Sequence, residues 1–335
     1  MKKNVLLIIL ILLAVCLGFS WGLWNYLTIP PAGDREIKYV AIPPGMTFTG
    51  VADVLEKEGV IAGVKRFCLL AKLKGVEKEI KAGDYTFNTV MTPSAVLSKL
   101  ISGEYRTHKV TIPEGFNTFQ IAALLEEEGL AEKKRFLKYA SDPVFVHSLG
   151  IKGNSLEGFL FPDTYYLRKG MGGEERILRK MVARFDEVFK EQYQERAREL
   201  NLSRVELIAL ASIVEKETSD PSERSLIAAV FHNRLKRGIR LQSDPTVIYG
   251  IQDFNGNLTK KDLKTKTPFN TYLFRGLPPQ PIANPGEESI KAVLYPSPKK
   301  YLYFVSKNNG THHFSTTLKE HNRAVNRYQR KRGVF

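Results

Sequence analysis

The chain has 335 residues, 43% of them hydrophobic and 25% charged, which excludes a disordered polymer and leaves room for two domains with a sizeable core. Fifty Lys and Arg residues against 35 Asp and Glu give a formal charge of +15, which favours anionic partners: nucleic acid, anionic lipid or an acidic polymer.

The first thirty residues choose among these partners. Lys2 and Lys3 precede an uncharged run from Asn4 to Leu27. That run meets the roughly 20 apolar residues a helix needs to cross a bilayer, and no small-x-small cleavage site follows it. Trp21, Trp24 and Tyr26 gather at its far end, where aromatic rings favour the membrane interface. The leading lysines predict a cytoplasmic N-terminus (1–3), a single span (4–27) and everything beyond about Pro30 outside the plasma membrane. Nucleic acid is then not the expected partner. Cys16 falls in the span and Cys68 in an apolar run, so no disulfide framework is expected.

A linker (28–36, with "IPPAGDR") leads to an internal repeat. "VAIPPGMTFTGVADVLEKEGVI" from Val40 aligns without gaps on "VTIPEGFNTFQIAALLEEEGLA" from Val110, about 70 residues on. Each copy reads as a short strand, a Pro-x-Gly turn and an amphipathic helix ended by Gly59 or Gly129, with a second helical stretch after it. The unit resembles a peptidoglycan-binding LysM module; two copies of a purely structural unit is the alternative. Between the copies the sequence predicts a strand, a turn and a helix entered at Thr92-Pro93. "SLEGFLFPDTYYLRKG" from Ser155 reads as a loop with strands, and "GMGGEE" at Gly170 as a turn. One long polar helix is expected over Glu174–Leu200. An apolar helix follows over Ser203–Thr218, with "SRVE" as its capping box. Asp220, Pro221 and Glu223 are expected to cap the next helix, which runs to Leu235. Beyond Gly238 come loops and short strands, a strand at "YLYFVSK" and a basic terminal helix from Thr317. The mixture is α+β without regular βαβ alternation.

The chemistry narrows by exclusion. There is no Walker loop or Rossmann fingerprint, the six histidines are scattered, and "GNSLEG" has the wrong spacing for a nucleophile elbow. No metal and no cofactor are expected; carboxylate chemistry remains. The apolar helix ends in "LASIVEKET", where Glu215 and Glu217 point roughly 200° apart, so they are not expected to form a joint site. Glu215 shares its ridge with Ile208, Ala211 and Ser212, and Ser212 is within reach of a hydrogen bond to it. A carboxyl against apolar neighbours has its pKa raised, as a general acid requires. The helix alone does not exclude Glu217, nor two carboxylates simply solvated at a helix end.

"LASIVEKET", "AAVFHNRLKRGIRLQSDPTVIYG", "FNTYLFRGLPPQPIANPG", "YLYFV" and "LEGFLFPDTY" together closely resemble the endolytic murein transglycosylase (YceG-like) family over practically the whole chain after the anchor. The resemblance implies a bacterial inner-membrane enzyme that cuts nascent peptidoglycan strands within the chain. It implies a LysM-like subdomain (37–106) before a mixed α+β catalytic domain (107–335), and contact with peptidoglycan synthases such as penicillin-binding proteins. The family's catalytic acid maps onto Glu215, which would protonate the glycosidic oxygen after N-acetylmuramic acid and then accept the C6 hydroxyl proton, leaving a 1,6-anhydro end. One carboxylate suffices because no water is consumed. The expected substrate contacts are Glu157, Ser212, Gln242, Ser243, Asp244, Asn270, Tyr272 and Asn284. Structural alternatives stand beside several: turn caps for Asp244 and Asn284, and an arginine partner such as Arg234 for Glu157. Two other readings stay open, a muramidase that pairs Glu215 with Glu157 or Asp244, and a non-catalytic peptidoglycan-binding scaffold.

Overall fold

In a computed structural model, residues 2–31, 34–169, 173–252 and 254–330 are described. The turn expected at Gly170 and the last five residues of the basic tail lie outside them. The chain divides into two compact units, Met1–His108 with Tyr166–Met171, and Lys109–Tyr165 with Gly172–Phe335.

The first unit opens with helix α1 (Lys2–Thr28), whose stretch Leu7–Thr28 is long and apolar enough to cross a membrane and is not buried in the fold. Strand β1 (Ile37–Ile42), helices α2 (Phe48–Lys57) and α3 (Val64–Lys74), strand β2 (Gly83–Asn88) and helix α4 (Pro93–Ser102) follow. β1 and β2 pair antiparallel with Val40 opposite Tyr85. Their buried faces meet Val51, Leu55, Phe67, Leu97 and Leu100 in one core. As the sequence predicts, Thr92 caps α4 and Pro93 occupies its first turn, where a missing N–H costs nothing.

The second unit contains strand β3 (His108–Thr111), helices α5 (Thr118–Glu127), α6 (Lys133–Ala140) and α7 (Pro143–Ser148), then strand β4 (Thr164–Leu167), which pairs with β3. Helices α8 (Gly173–Val188), α9 (Glu191–Glu199), α10 (Arg204–Glu217), α11 (Arg224–Lys236) and α12 (Asp244–Tyr249) come next. A 3-10 turn (Asp262–Lys264), helix α13 (Glu287–Leu294), the antiparallel pair β5 (Tyr303–Ser306) and β6 (His312–Ser315), and helix α14 (Leu318–Val325) with a π turn (Asn326–Arg330) close the chain. The small sheets and many helices make this the mixed α+β architecture expected.

The 70-residue repeat is repeated structure. Gly45 and Gly115 take φ of 81° and 74°, and Gly59 and Gly129 take φ of 71° and 62°. Thr47 and Asn117 cap α2 and α5. Glu56 accepts the Gly63 N–H and Glu126 the Lys133 N–H, the same bond one copy on.

Three local expectations need correction. The helix expected over Glu174–Leu200 breaks at Phe189 and Lys190: Lys190 is extended (ψ 163°), and Phe189 turns inward to stack on Phe185 at 5.4 Å. Asp220 caps the Ser222 N–H at 2.9 Å, but Glu223 does not reciprocate. It accepts both the backbone N–H and Nδ1 of His312, at 2.8 and 2.7 Å, and α11 begins at Arg224, three residues after the expected Pro221. The region beyond Gly238, expected to be loops and strands, contains α12 and α13; both are short, and α13 starts without a side-chain cap.

At the centre lies α10. Ser203 and Glu206 form the capping box read from the sequence, and every residue from Leu207 to Val214 is buried. The helix packs against α9, α11, α12 and α13. Its last turn, where apolar residues give way to Glu215, Lys216 and Glu217, is the part that opens to solvent.

Candidate active site

The end of α10 lines a cleft of about 560 Å³, bounded by Glu114, Gly115, Glu215, Lys216, Glu217, Thr218, Ser219 and Arg224. Although their Cβ vectors diverge, Glu215 and Glu217 both line it, because the cleft wraps around the end of the helix rather than along one side. The expectation that they share no site is therefore corrected.

The two carboxylates meet different surroundings. Glu215 is 7% exposed; its Oε2 accepts the Gly286 N–H at 3.0 Å and its Oε1 lies 3.8 Å from Arg224 Nη2. The same guanidinium nitrogen is 3.7 Å from Glu114, whose pKa burial raises, with a further push from the nearby charge of Glu215. Gly286 makes the approach of Glu114 possible, since a Cβ there would fall 2.0 Å from Glu114 Oε1, while Gly115 takes a left-handed φ of 74° beside Glu215.

Glu217 accepts the Ser243 hydroxyl at 2.5 Å. Loss of water around its carboxyl pushes its pKa up to about 7. The Ser243 bond and Arg234 oppose that rise, and Asp244 adds to it. The two glutamates thus differ: burial favours the neutral form of Glu217, whereas Glu215 accepts a backbone N–H and faces Arg224.

Ser243 is fixed by its own neighbours. Its N–H donates to Thr271 Oγ1 at 3.1 Å, and its carbonyl accepts the Thr246 hydroxyl at 2.6 Å. Tyr272 donates to Asp244 at 2.6 Å, tying the loop at 270–275 to the start of α12. Gln242 is exposed and holds φ of 52°, a left-handed conformation uncommon outside glycine. Of these four, buried Ser243 touches Glu217, Gln242 and Asp244 flank it in the chain, and Tyr272 is tied to Asp244; none of them lines the cleft at the end of α10.

The other expected substrate contacts are interior. Ser212 is fully buried, donates to the Ala209 carbonyl at 2.7 Å and accepts the Ile282 N–H at 3.0 Å, so it does not bind Glu215. Asn270 is fully buried and donates to the carbonyls of Leu263 and Thr265. Asn284 is fully buried too: it donates to the Phe116 carbonyl and to Glu157, and accepts the Leu160 N–H. Glu157, 1% exposed, also accepts the Thr118 N–H and the Tyr249 hydroxyl, and burial pushes its pKa up to about 7. All four are buried, and their hydrogen bonds go to protein groups. They satisfy backbone groups of loops that could not otherwise be buried. Arg234, offered as a partner for Glu157, donates instead to the carbonyls of Leu302 and Leu241.

Glu114, Arg224 and Gly286 escaped the sequence reading. One signal was available for Glu114: at the matched position of the other repeat copy stands Pro44.

Residues 40–327 match the YceG-like family. The chain is 35% identical over 305 residues to the endolytic murein transglycosylase of Bacillus subtilis (strain 168), covering 86% of this chain and 84% of that protein. It is 30% identical over 340 residues to the endolytic murein transglycosylase of Streptococcus pneumoniae serotype 2, covering 92% of this chain and 61% of that longer protein. A crystal structure of a yceG-like protein from Listeria monocytogenes, 34% identical, superimposes with a TM-score of 0.60 over 86% of this chain and 98% of the other.

Proposed function

The chain belongs to the YceG-like family, and from that premise we propose that it is a peptidoglycan lytic transglycosylase cutting glycan strands endolytically. The observation that carries the chemistry is Glu217, a carboxyl raised to about 7 at the edge of an open cleft and held by Ser243. In its protonated form Glu217 donates to the glycosidic oxygen between N-acetylmuramic acid and N-acetylglucosamine as that bond breaks. The resulting carboxylate accepts the proton of the muramic acid C6 hydroxyl as its oxygen attacks C1. The proton count returns to its start, no water is used, and a 1,6-anhydro end results. Glu215 takes the second role: a carboxylate facing the cleft opposes the positive charge that develops at C1. Arg224 and the Gly286 N–H hold it in place.

Gln242, Asp244 and Tyr272 form the substrate-facing wall beside the acid, and buried Ser243 holds the acid in place. We assign 4–27 to a single membrane span with the N-terminus in the cytoplasm and the bulk of the chain outside. Residues 37–106 form a LysM-like glycan-holding subdomain, and 107–335 the catalytic domain. Peptidoglycan synthases are the partners a strand-terminating enzyme meets. Mass spectrometry of digested strands tests the reaction: anhydro ends are about 18 mass units lighter than reducing ends, because no water is added. Ordinary reducing ends would establish a muramidase instead. Membrane retention after carbonate extraction, with the bulk digested by protease at the outer face, tests the topology.

A further inference from the structure

Beside the acid, the chain builds a rim of cations that the cutting chemistry does not use. Lys236, Arg237, Arg240 and Arg275 are all exposed, and none has a carboxylate partner among the described residues. Elsewhere in the same unit Arg135, Arg179, Arg184, Arg196, Arg198 and Arg204 are each paired with an Asp or Glu. Buried Arg234 holds the loop of the rim: its guanidinium donates to the Leu241 carbonyl at 2.6 Å and to the Arg240 carbonyl at 3.4 Å. Gly238, at φ 62°, makes the turn between Arg237 and Arg240, and Arg275 Nη1 lies 3.9 Å from where a Gly238 Cβ would stand. The two loops are locked together just beyond, where Gln242 donates to the Thr271 carbonyl at 3.2 Å. The next residue is Ser243, which binds Glu217. The backbone that carries these cations is therefore joined to the acid by a short, hydrogen-bonded path.

Resting on the function proposed above, we infer that Arg237, Arg240 and Arg275 form a subsite for the carboxylates of stem peptides on the glycan strand, so that the enzyme prefers strands that still carry peptides. A planar guanidinium matches a carboxylate through two parallel hydrogen bonds, and arginines without a carboxylate partner give up no ion pair on binding one. A neutral sugar chain offers these cations nothing, whereas each muramic acid bearing a peptide brings carboxylates beside the strand. Exposed Phe274, next to Arg275, adds an apolar surface to the rim.

The test compares cleavage by the full-length protein of soluble strands with stem peptides intact and of strands stripped by an amidase. The wild type is expected to cut the intact strands faster at low salt, with the preference shrinking as salt screens it. Arg237→Gln/Arg240→Gln/Arg275→Gln is expected to lower the ratio of the two rates about tenfold, each exposed contact being worth a factor of about two. Lys134→Gln/Lys152→Gln, which removes two exposed charges outside the rim, is expected to keep the wild-type ratio. An unchanged ratio in the triple variant overturns the inference, and so does an equal loss on both substrates, since that marks a structural role. If the wild type cuts neither strand, the function proposed above fails by itself. The subsite is then judged by fluorescence anisotropy: tighter binding of peptide-bearing strands by the wild type than by the triple variant upholds it, and equal binding overturns it.

Discussion

The Ser243 hydroxyl donates to Glu217 at 2.5 Å and joins the first turn of α12 to the last turn of α10. This bond holds the carboxyl at the cleft and limits how far burial raises its pKa. Without any such donor a desolvated carboxyl stays protonated well above neutrality and cannot take a proton back; with too many it cannot give one. A value of about 7 serves both halves of the proposed cycle.

The two glutamates are separable by single amide substitutions. Glu217→Gln keeps size and the acceptor for Ser243 but removes the transferable proton, and general acid–base catalysis is typically worth about 10²–10⁴-fold. Cleavage is expected to fall by that range with folding intact. Glu215→Gln is expected to lose less, about 10–100-fold, as an electrostatic contribution. Rates on purified strands check this. An inactive Glu215→Gln beside a fully active Glu217→Gln would return the acid role to Glu215.

Activity should follow the titration of Glu217. The acid works protonated, so kcat is expected to hold below about pH 7 and to decline as pH rises through that value. Hydrogen bonding by Ser243 favours the charged form and lowers the pKa. Ser243→Ala is therefore expected to move the alkaline limb to higher pH, as well as reducing the rate. A pH–rate profile of both proteins reads the shift, and a limb that moves to lower pH contradicts the role given to the hydroxyl.

How much of this was legible depended on distance along the chain. The capping box of α10, its buried length and the repeated strand–turn–helix are local patterns, and all three appear as read. Which glutamate is the acid was not legible from the helix. What distinguishes their surroundings comes from far along the chain: Ser243, 26 residues from Glu217, and Gly286, 71 residues from Glu215. Asn270, Asn284 and Glu157 looked like sugar contacts because they are polar residues inside long motifs. Their partners turn out to be backbone N–H and carbonyl groups of buried loops, a demand that no local pattern announces. Glu114 differs from Pro44 in the other repeat copy, and that difference alone could have drawn attention to it.

Gly286 tests the cleft wall. Its φ of −73° suits alanine, so α13 should form normally in Gly286→Ala, but the new Cβ falls 2.0 Å from Glu114 Oε1. Glu114 is half exposed at the end of a flexible side chain, so it is expected to swing away rather than break the fold. Activity should drop by between about tenfold and 100-fold, the scale of a misplaced site, with thermal stability nearly unchanged. In a Glu114→Ala background the same glycine substitution should cost almost nothing further, because the clash is gone. A full additional loss in the double variant would show that the glycine matters for another reason.

Glu157 offers a stability measurement independent of catalysis. Its pKa is about 7 when folded, against 4.5 ordinarily. Between those values the folded protein holds a proton that the unfolded chain has released. The stability contributed by the neutral carboxyl is thus fully present below about pH 4.5 and lost as pH rises through 7. The loss amounts to roughly 3 kcal/mol, and Glu217 adds to the same trend. Glu157→Gln removes the Glu157 contribution while keeping the side chain's size and one acceptor oxygen for its donors. Urea unfolding in detergent is therefore expected to show the variant gaining on the wild type as pH goes from 5 to 8, by up to roughly 3 kcal/mol. A difference that stays constant with pH would mean that the donors from Thr118, Asn284 and Tyr249 keep Glu157 charged in the folded state. It would then be a buried anion anchoring these loops, rather than a neutral acid accommodated among them.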